Sequence, residues 1–435
     1  MAITYGKNYG RPTLDLNFAE NKSLIDSVTG RNLITFSRSQ SGKEATYVGS
    51  DGLIKYAGAD EPRFDYDPVS GVCKGLLIEE QRTNLWNYSD DPTFVSFGGS
   101  VSPYSELAPD GNYTASVFVP NAAADSTDRI LFIPRSNTLS TQQVVTFYVK
   151  TTYSYLAFFA NGNSNQSNVT VNVGINLLTN SVYQTTVANG IYTSSSITDM
   201  ANGYKRISIT YQTDGGFGGK QPGIIVSDTQ FTIVGNPGRA VDQTANYTTD
   251  GIKSLAIWGV QLETGSFPTS YIPTKGSTVT RNADEASITG TNFSSWYNQS
   301  EGTIFSESQI EFALSIPNKF PNIYRSGTFP NRLWVLYLLN VINYLQIGAD
   351  AFANFVGIFS SSPQTFKVAQ ALSNSDLTYS ASKDGATPKT GSLSKSITNT
   401  TSIAIGNNDG AVKRIARLTY WPTRLPDLEL QQLTK

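Results

Sequence analysis

Apolar runs of strand length, each closed by a glycine, proline or Asn-Gly turn, leave this chain little room for helix. The segments 144–150, 153–159, 169–175, 204–211 and 255–262 are rich in β-branched and aromatic residues. Turns at Asn161-Gly162, Asn202-Gly203 and Asp214-Gly215-Gly216 separate strands. Within 87–262 no segment longer than a turn carries a 3.6-residue period. Regular strand spacing without helices predicts an all-β fold of antiparallel sandwiches or jelly rolls. With 435 residues, the chain can hold two or three domains that each bury a core.

The boundary between modules falls within 258–290. Trp258, Val260 and Leu262 alternate with Gly259, Gln261 and Glu263 as a strand does. Gly265, Pro268 and Pro273 then prevent regular structure, and each proline holds its predecessor extended. The chain is polar over 278–286, and a new strand pattern starts near Ala286. The expected organisation is a short-strand attachment segment over 1–86, one sandwich over 87–275 and a second over 276–435.

Within 1–86, Leu14, Leu16 and Phe18 alternate along one strand, and short strands follow at 33–36, 45–48, 53–56 and 75–78. This is too little apolar material for a separate core, so the segment is expected to pack on a sandwich or a neighbour. The second sandwich takes strands at 302–309, 355–359, 377–382, 402–406 and 414–421, with a turn at Lys383-Asp384-Gly385. Leu425, Leu428, Leu430 and Leu433 predict an amphipathic final helix with Pro426 in its first turn.

Composition removes several chemistries. Net charge is −2 with 15% charged residues, so the basic face needed for nucleic acid is missing. There is no histidine, which excludes histidine bases, Ser-His-Asp triads and histidine metal ligands. Cys73 is alone, cannot form an intrachain disulfide and is expected to be a small buried residue. The first 18 residues lack an apolar core of signal-peptide length, and no apolar run approaches the roughly 20 residues that span a bilayer. Synthesis in a cytoplasm, without a secretion signal or membrane insertion, is the expectation.

The remaining chemistry is sparse. Gly215–Lys220 is glycine-rich, but Gln221-Pro222 follows where a phosphate loop needs Ser or Thr and a helix. Glu79, Glu80 and Glu263 are the carboxylates that invite comparison with glycosidases. Adjacent strand residues face opposite ways, so Glu79 and Glu80 are not a catalytic pair. Asp51, Asp60, Glu61, Asp65 and Asp67 lie close together in sequence. They lack a calcium-loop spacing, and read as turn caps with Arg63 and Arg82 as partners; calcium is the one cofactor they leave open. The sequons at Asn112 and Asn168 read as accidents of composition. Aromatic rings stack on sugar C–H faces, and Tyr and Trp add a polar handle. The candidates are Tyr113, Tyr153 and Tyr155 in the first sandwich and Trp296, Tyr297, Tyr324 and Trp334 in the second.

Four phrases carry a resemblance. They are FSR through ATYV-x-x-DG-x-I, PRFDYDP and GLLIE-x-x-RTNL; then FYVK and NGYKRISI; then WG-x-QLE-x-G-x-x-PTSYIPT with TR-x-AD; and finally RIARLTYWPTRLPDLELQQLT. In that order they resemble tail-fibre, spike and head-fibre proteins of tailed bacteriophages. The resemblance implies a carbohydrate-binding-module-like jelly roll followed by a laminin-G/concanavalin-like domain.

The resulting expectation is a non-enzymatic virion fibre or spike exposed on the particle. It would bind a host-surface polysaccharide or lipopolysaccharide and attach to other virion proteins through its N-terminal segment. A structural head-fibre or decoration protein is the alternative, and a polysaccharide depolymerase the third reading. The depolymerase reading lacks the short stacked repeats of a parallel β-helix. Residues 333–342, read as one strand, are apolar on both faces, which predicts an interface; the fibre resemblance makes it a homotrimer.

Overall fold

The computed structural model describes residues 10–435 except 40–41, 43, 90–94, 124–128, 132–140, 162–169, 189, 213–221, 234–243, 246–247, 312–322, 327–334, 340–341, 348–350, 357–363, 395, 398 and 407–409. Strands dominate. Among the described residues helix is confined to Phe18–Asn21, Gly290–Ser294, Asp427–Leu433 and a 3₁₀ turn at Ala201–Gly203.

The inner sandwich is a pair of six-stranded antiparallel sheets. One runs Ile191–Asp199, Lys205–Gln212, Gln143–Thr151, Leu255–Thr264, Ala115–Pro120, Gly99–Glu106. The other runs Ser181–Ala188, Thr170–Asn176, Tyr155–Asn161, Gly223–Ser227, Arg129–Leu131, Val95–Phe97. Their period-two alternation sends Phe147, Val149, Ile207, Ile209, Val260 and Leu262 inward against Leu156, Phe158, Val171, Val173 and Ile224. The same alternation sends Thr146, Ser208, Thr210, Gln261 and Glu263 to the opposite face, yet these are buried too. A buried polar face costs free energy unless its groups find partners. Thr146 and Ser208 pair with each other at 2.9 Å, and the rest of the chain supplies the cover.

That cover is a second sandwich built from both ends of the chain. Its large sheet runs Lys389–Ser392, Thr378–Lys383, Gln364–Ser373, Glu301–Glu311, Val412–Trp421, Cys73–Glu79, Arg63–Tyr66. Leu14–Asn17 pairs with the far half of Val412–Trp421, Leu14 opposite Tyr420 and Asn17 opposite Arg417. The smaller sheet runs Thr35–Ser37, Glu285–Thr289, Ser402–Ile405, Tyr324–Ser326. Leu14, Leu16, Phe18, Leu76 and Ile78 share one core with Ile304, Ile310, Ile403, Ile415 and Leu418. The final helix buries Leu430 and Leu433 with Leu425 against Phe305 and Trp421. Leu428 is 63% exposed, which narrows the apolar face expected from sequence.

The sheets therefore divide the chain differently from the 1–86, 87–275 and 276–435 pattern. Residues 14–79 and 285–433 make one sandwich, and the jelly roll is inserted between them. The 265–278 connector is no loose spacer. Phe267, Thr269, Tyr271, Ile272 and Thr274 are buried between the modules, and Val279–Arg281 pairs with Arg82–Asn84. Tyr271 packs on Trp258 with ring centroids 4.4 Å apart. Gly259 sits between them at φ +62°, where a Cβ would lie 2.9 Å from the Tyr148 ring. Only glycine meets both demands.

Two further sequence readings change. Residues 333–342 are not one strand: Val335–Leu339 and Ile342–Ile347 form a hairpin, continued by Ala351–Val356. The chain reverses between Leu339 and Ile342, so the apolar run is divided between two paired strands. The side chains there lie outside the described residues. Cys73 is half-buried rather than buried, and burial pushes its thiol up.

A fragment of residues 285–435 lacks Leu14–Asn17 and Cys73–Glu79, the two strands that line one edge of Val412–Trp421. It should show no cooperative thermal transition by circular dichroism, although the full chain does. A sharp transition in the fragment would contradict the shared sheet.

Candidate functional site

The signature phrases of the sequence converge on one buried cluster at the junction. Asp284 accepts from Arg38 Nη1 at 2.8 Å, from Arg63 Nη2 and from the Glu79 backbone N–H at 2.9 Å. Arg63 also donates to Glu79 at 2.8 Å, and Arg281 lies 3.6 Å from the same carboxylate. Ser270 closes the ring, donating its N–H at 2.8 Å and its hydroxyl at 2.6 Å to Glu79. Glu263 accepts from the Thr269 N–H at 3.1 Å and from its hydroxyl. Asn84 bridges the modules, donating to Ile272 O at 2.8 Å while accepting from Leu262 N–H at 3.1 Å. Burial alone would raise the Glu79 carboxyl. Arg281 and Arg63, with the Ser270 hydrogen bonds, outweigh burial and hold it well below its ordinary value of 4.5.

This cluster is scaffolding. Glu79 and Glu263, the carboxylates that invited a glycosidase reading, are spent on arginines and on connector N–H and O–H groups. Arg63 and Arg82 do not serve the nearby acidic run as expected. Arg63 pairs with Glu79 and Asp284, and Arg82 pairs with Glu80 at 2.7 Å. The five acidic residues are dispersed. Asp67 caps the turn at Val69 and Ser70, Asp60 accepts from Arg38 N–H, and Glu61 from Gly58 N–H. Asp65 takes Val48 N–H and Arg414, and Asp51 takes Leu53 N–H and Lys55.

The accessible chemistry lies beside the cluster. The Ala45–Val48 and Ile54–Ala57 hairpin, together with the Arg63–Tyr66 strand, walls an open cleft of about 760 Å³. Tyr47, Tyr56, Phe64 and Tyr66 line it half-buried. Asp110 and Asn112, from the turn before Ala115–Pro120, complete the wall from the inserted jelly roll. Tyr56 Oη donates to Asp110 at 3.3 Å, and Asn112 Nδ2 donates to the same carboxylate at 3.0 Å. Asp51 is held below the ordinary carboxylate range, first by its hydrogen bond from Lys55. Burial, then Glu61, pushes the Tyr47 hydroxyl up, so it remains a neutral donor.

The sequence candidates scatter. Tyr113 follows Asn112 on the cleft-edge turn and is 69% exposed. Tyr153 is core, with Lys253 5.7 Å above its ring. Tyr155 packs edge-on to Tyr183 at 5.8 Å. Trp296 is buried and Tyr297 half-buried, in a stack with Phe293 and Tyr420. Tyr324 is buried, donating to Gln370. Trp334 lies outside the described residues. None of the described candidates lines the cleft; Tyr113 is next in sequence to Asn112, which does. Tyr47, Tyr56 and Tyr66, half-buried on short strands, were not among the sequence candidates, because nothing local in Ala45–Val48 or Ile54–Ala57 distinguishes a cleft ring from a core ring.

No protein-family profile matches the chain, and no curated protein matches it. Botulinum neurotoxin type C, which depends on two ganglioside molecules to enter cells, aligns at 13% identity over 35% of this chain and 39% of its own, with a TM-score of 0.28. The binding domain of botulinum neurotoxin DC in complex with rat synaptotagmin II aligns at 13% identity over 35% and 40%, with a TM-score of 0.29. The chain thus covers about two fifths of these structures. Likeness this low carries no argument about what the chain does.

Two outcomes test the electrostatics. Asp284→Ala leaves Arg38 buried without a carboxylate and Arg63 with Glu79 alone, and should cost about 3–5 kcal/mol in urea unfolding; a cost under about 1 kcal/mol would refute the cluster's role. Acid should act through Glu79: its folded pKa is depressed, so its stabilisation is present above 4.5 and is lost as pH falls below. Glu311 has the opposite sign, because burial raises its pKa despite Arg414 and Arg206. Glu311→Gln should therefore match or exceed the native melting temperature at neutral pH, and any gain should vanish below pH 4.5.

Proposed function

We propose that this protein binds a glycan in the Tyr47, Tyr56 and Tyr66 cleft. The observation that carries the reading is the combination of half-buried aromatic rings with Asp110, Asn112, Asp51 and Glu61 around one open groove. Rings take the apolar faces of sugars, and carboxylates and amides take their hydroxyls. The cleft spans the junction, so its shape depends on both modules being locked together. Lys55 holds Asp51 below the ordinary carboxylate range and so charged, an acceptor for sugar hydroxyls.

The phrase-level resemblance to phage fibre and spike proteins supplies the setting. In that reading the protein is an exterior virion component, a homotrimer as such fibres are, and the ligand is a host-surface polysaccharide or lipopolysaccharide.

Purified protein should bind polysaccharide extracted from the host surface by calorimetry and release no new reducing ends. Tyr56→Ala and Tyr66→Ala should each weaken binding roughly fivefold, about 1 kcal/mol per ring, with unchanged melting temperature. Unaltered affinity in both variants would remove the cleft from consideration.

A further inference from the structure

The cleft does not end at the hairpin. Tyr47, Ile54 and Tyr66 also line a second cavity of about 150 Å³, pinched between the two modules. One wall is the polar outer face of the jelly-roll sheet, with Tyr148, Ser196 and Arg206. The other is the large sheet of the second sandwich, with Asp65, Glu311 and Arg414. The connector residues Thr269 and Ser270 form part of the lining. A cavity of this size accommodates a single six-membered ring.

Its polar groups are unevenly satisfied. Arg414 spends its Nε on Asp65 at 2.5 Å, and its Nη1 stays 3.8 Å from Glu311. Among the described residues no donor hydrogen-bonds the Glu311 carboxylate, although Glu311 is only 7% exposed. Opposite it, Arg206 donates Nη2 to Thr269 O at 2.7 Å and leaves Nε buried without an acceptor. Glu311, paired only at long range with Arg414, thus keeps acceptor capacity, and Arg206 lies across the same small space. A ligand hydroxyl that completes the hydrogen bonding of such a carboxylate is favoured. Burial pushes the Glu311 carboxyl up, which agrees with its incomplete pairing.

We infer that this junction pocket is a subsite for one neutral sugar unit, the terminal ring of the glycan held in the cleft. The inference rests on the glycan reading of that cleft. A hydroxyl both donates and accepts, so a sugar ring can donate a hydrogen bond to the Glu311 carboxylate and accept one from a lining guanidinium, Arg206 or Arg414. Charged units fit worse. The lining carries three cations, Lys74, Arg206 and Arg414, and three anions, Asp65, Glu79 and Glu311, and so is formally balanced. A sugar carboxylate would meet Glu311, and an ammonium would meet Arg206. Recognition is then of a chain end, because the pocket has room for one ring and the connector closes part of it.

Saturation-transfer NMR on the full chain tests this, using glucose, galactose, mannose and glucuronate as probes. At least one neutral hexose should show transfer, and glucuronate none. Ser196→Phe, at a half-exposed position lining the pocket, should abolish the signal. Glu311→Gln should weaken binding roughly tenfold or more, with the fold retained by circular dichroism. Absence of transfer from every neutral hexose, equal transfer from glucuronate, or a signal untouched by Ser196→Phe would each overturn the subsite. The two readings fail separately: if Tyr56→Ala leaves polysaccharide binding intact while hexose transfer depends on Ser196, the cleft falls and the pocket stands.

Discussion

One carboxylate holds the molecule together. Asp284 binds Arg38 and Arg63, and through the Glu79 backbone N–H it reaches the strand that pairs with Val412–Trp421. These groups are remote in sequence and fully buried. Desolvating so many charges is expensive, and the attraction repays that cost only when the geometry is complete. The cluster therefore acts less as a source of stability than as a condition on arrangement: the strands, the connector and the inserted module all fit, or the charges are stranded.

The inserted jelly roll follows from that condition. Its first sheet has a dry face and a polar face, and an isolated sandwich would leave the polar one in water. Here the polar face is covered, with Gln261 taking Ile272 N–H at 2.7 Å and Glu263 taking Thr269. Hydrogen bonds are directional where apolar contact is not. A polar interface thus sets the angle between modules more tightly than an oily one would, and the walls of the cleft and pocket are set with it.

Much of the strand layout was legible in sequence because alternation and turn residues are local signals. The segments expected at 45–48, 144–150 and 255–262 sit within strands Ala45–Val48, Gln143–Thr151 and Leu255–Thr264. Partnership was not legible. Leu14–Asn17 reads as a strand with one apolar face, and nothing local says that its neighbour lies some 400 residues away at Tyr420. The apolar run at 333–342 misled for a related reason: a hairpin and a long strand share the same composition. The tyrosine candidates misled because a ring's value to a sugar lies in its exposed face, which depends on what covers it.

Sequence alone determined that the chain is all-β, that its boundary region is a proline-held connector, and that histidine chemistry is absent. These rest on backbone preference and on inventory, which travel with the residues. Tertiary structure decided that the N-terminal strands complete the C-terminal sheet, that Arg38, Arg63, Glu79, Arg281 and Asp284 form a buried lock, and that the open chemistry gathers around Tyr47, Tyr56 and Tyr66. Those outcomes depend on which faces are buried by distant strands, and burial converts the same carboxylate from a surface charge into a structural tie.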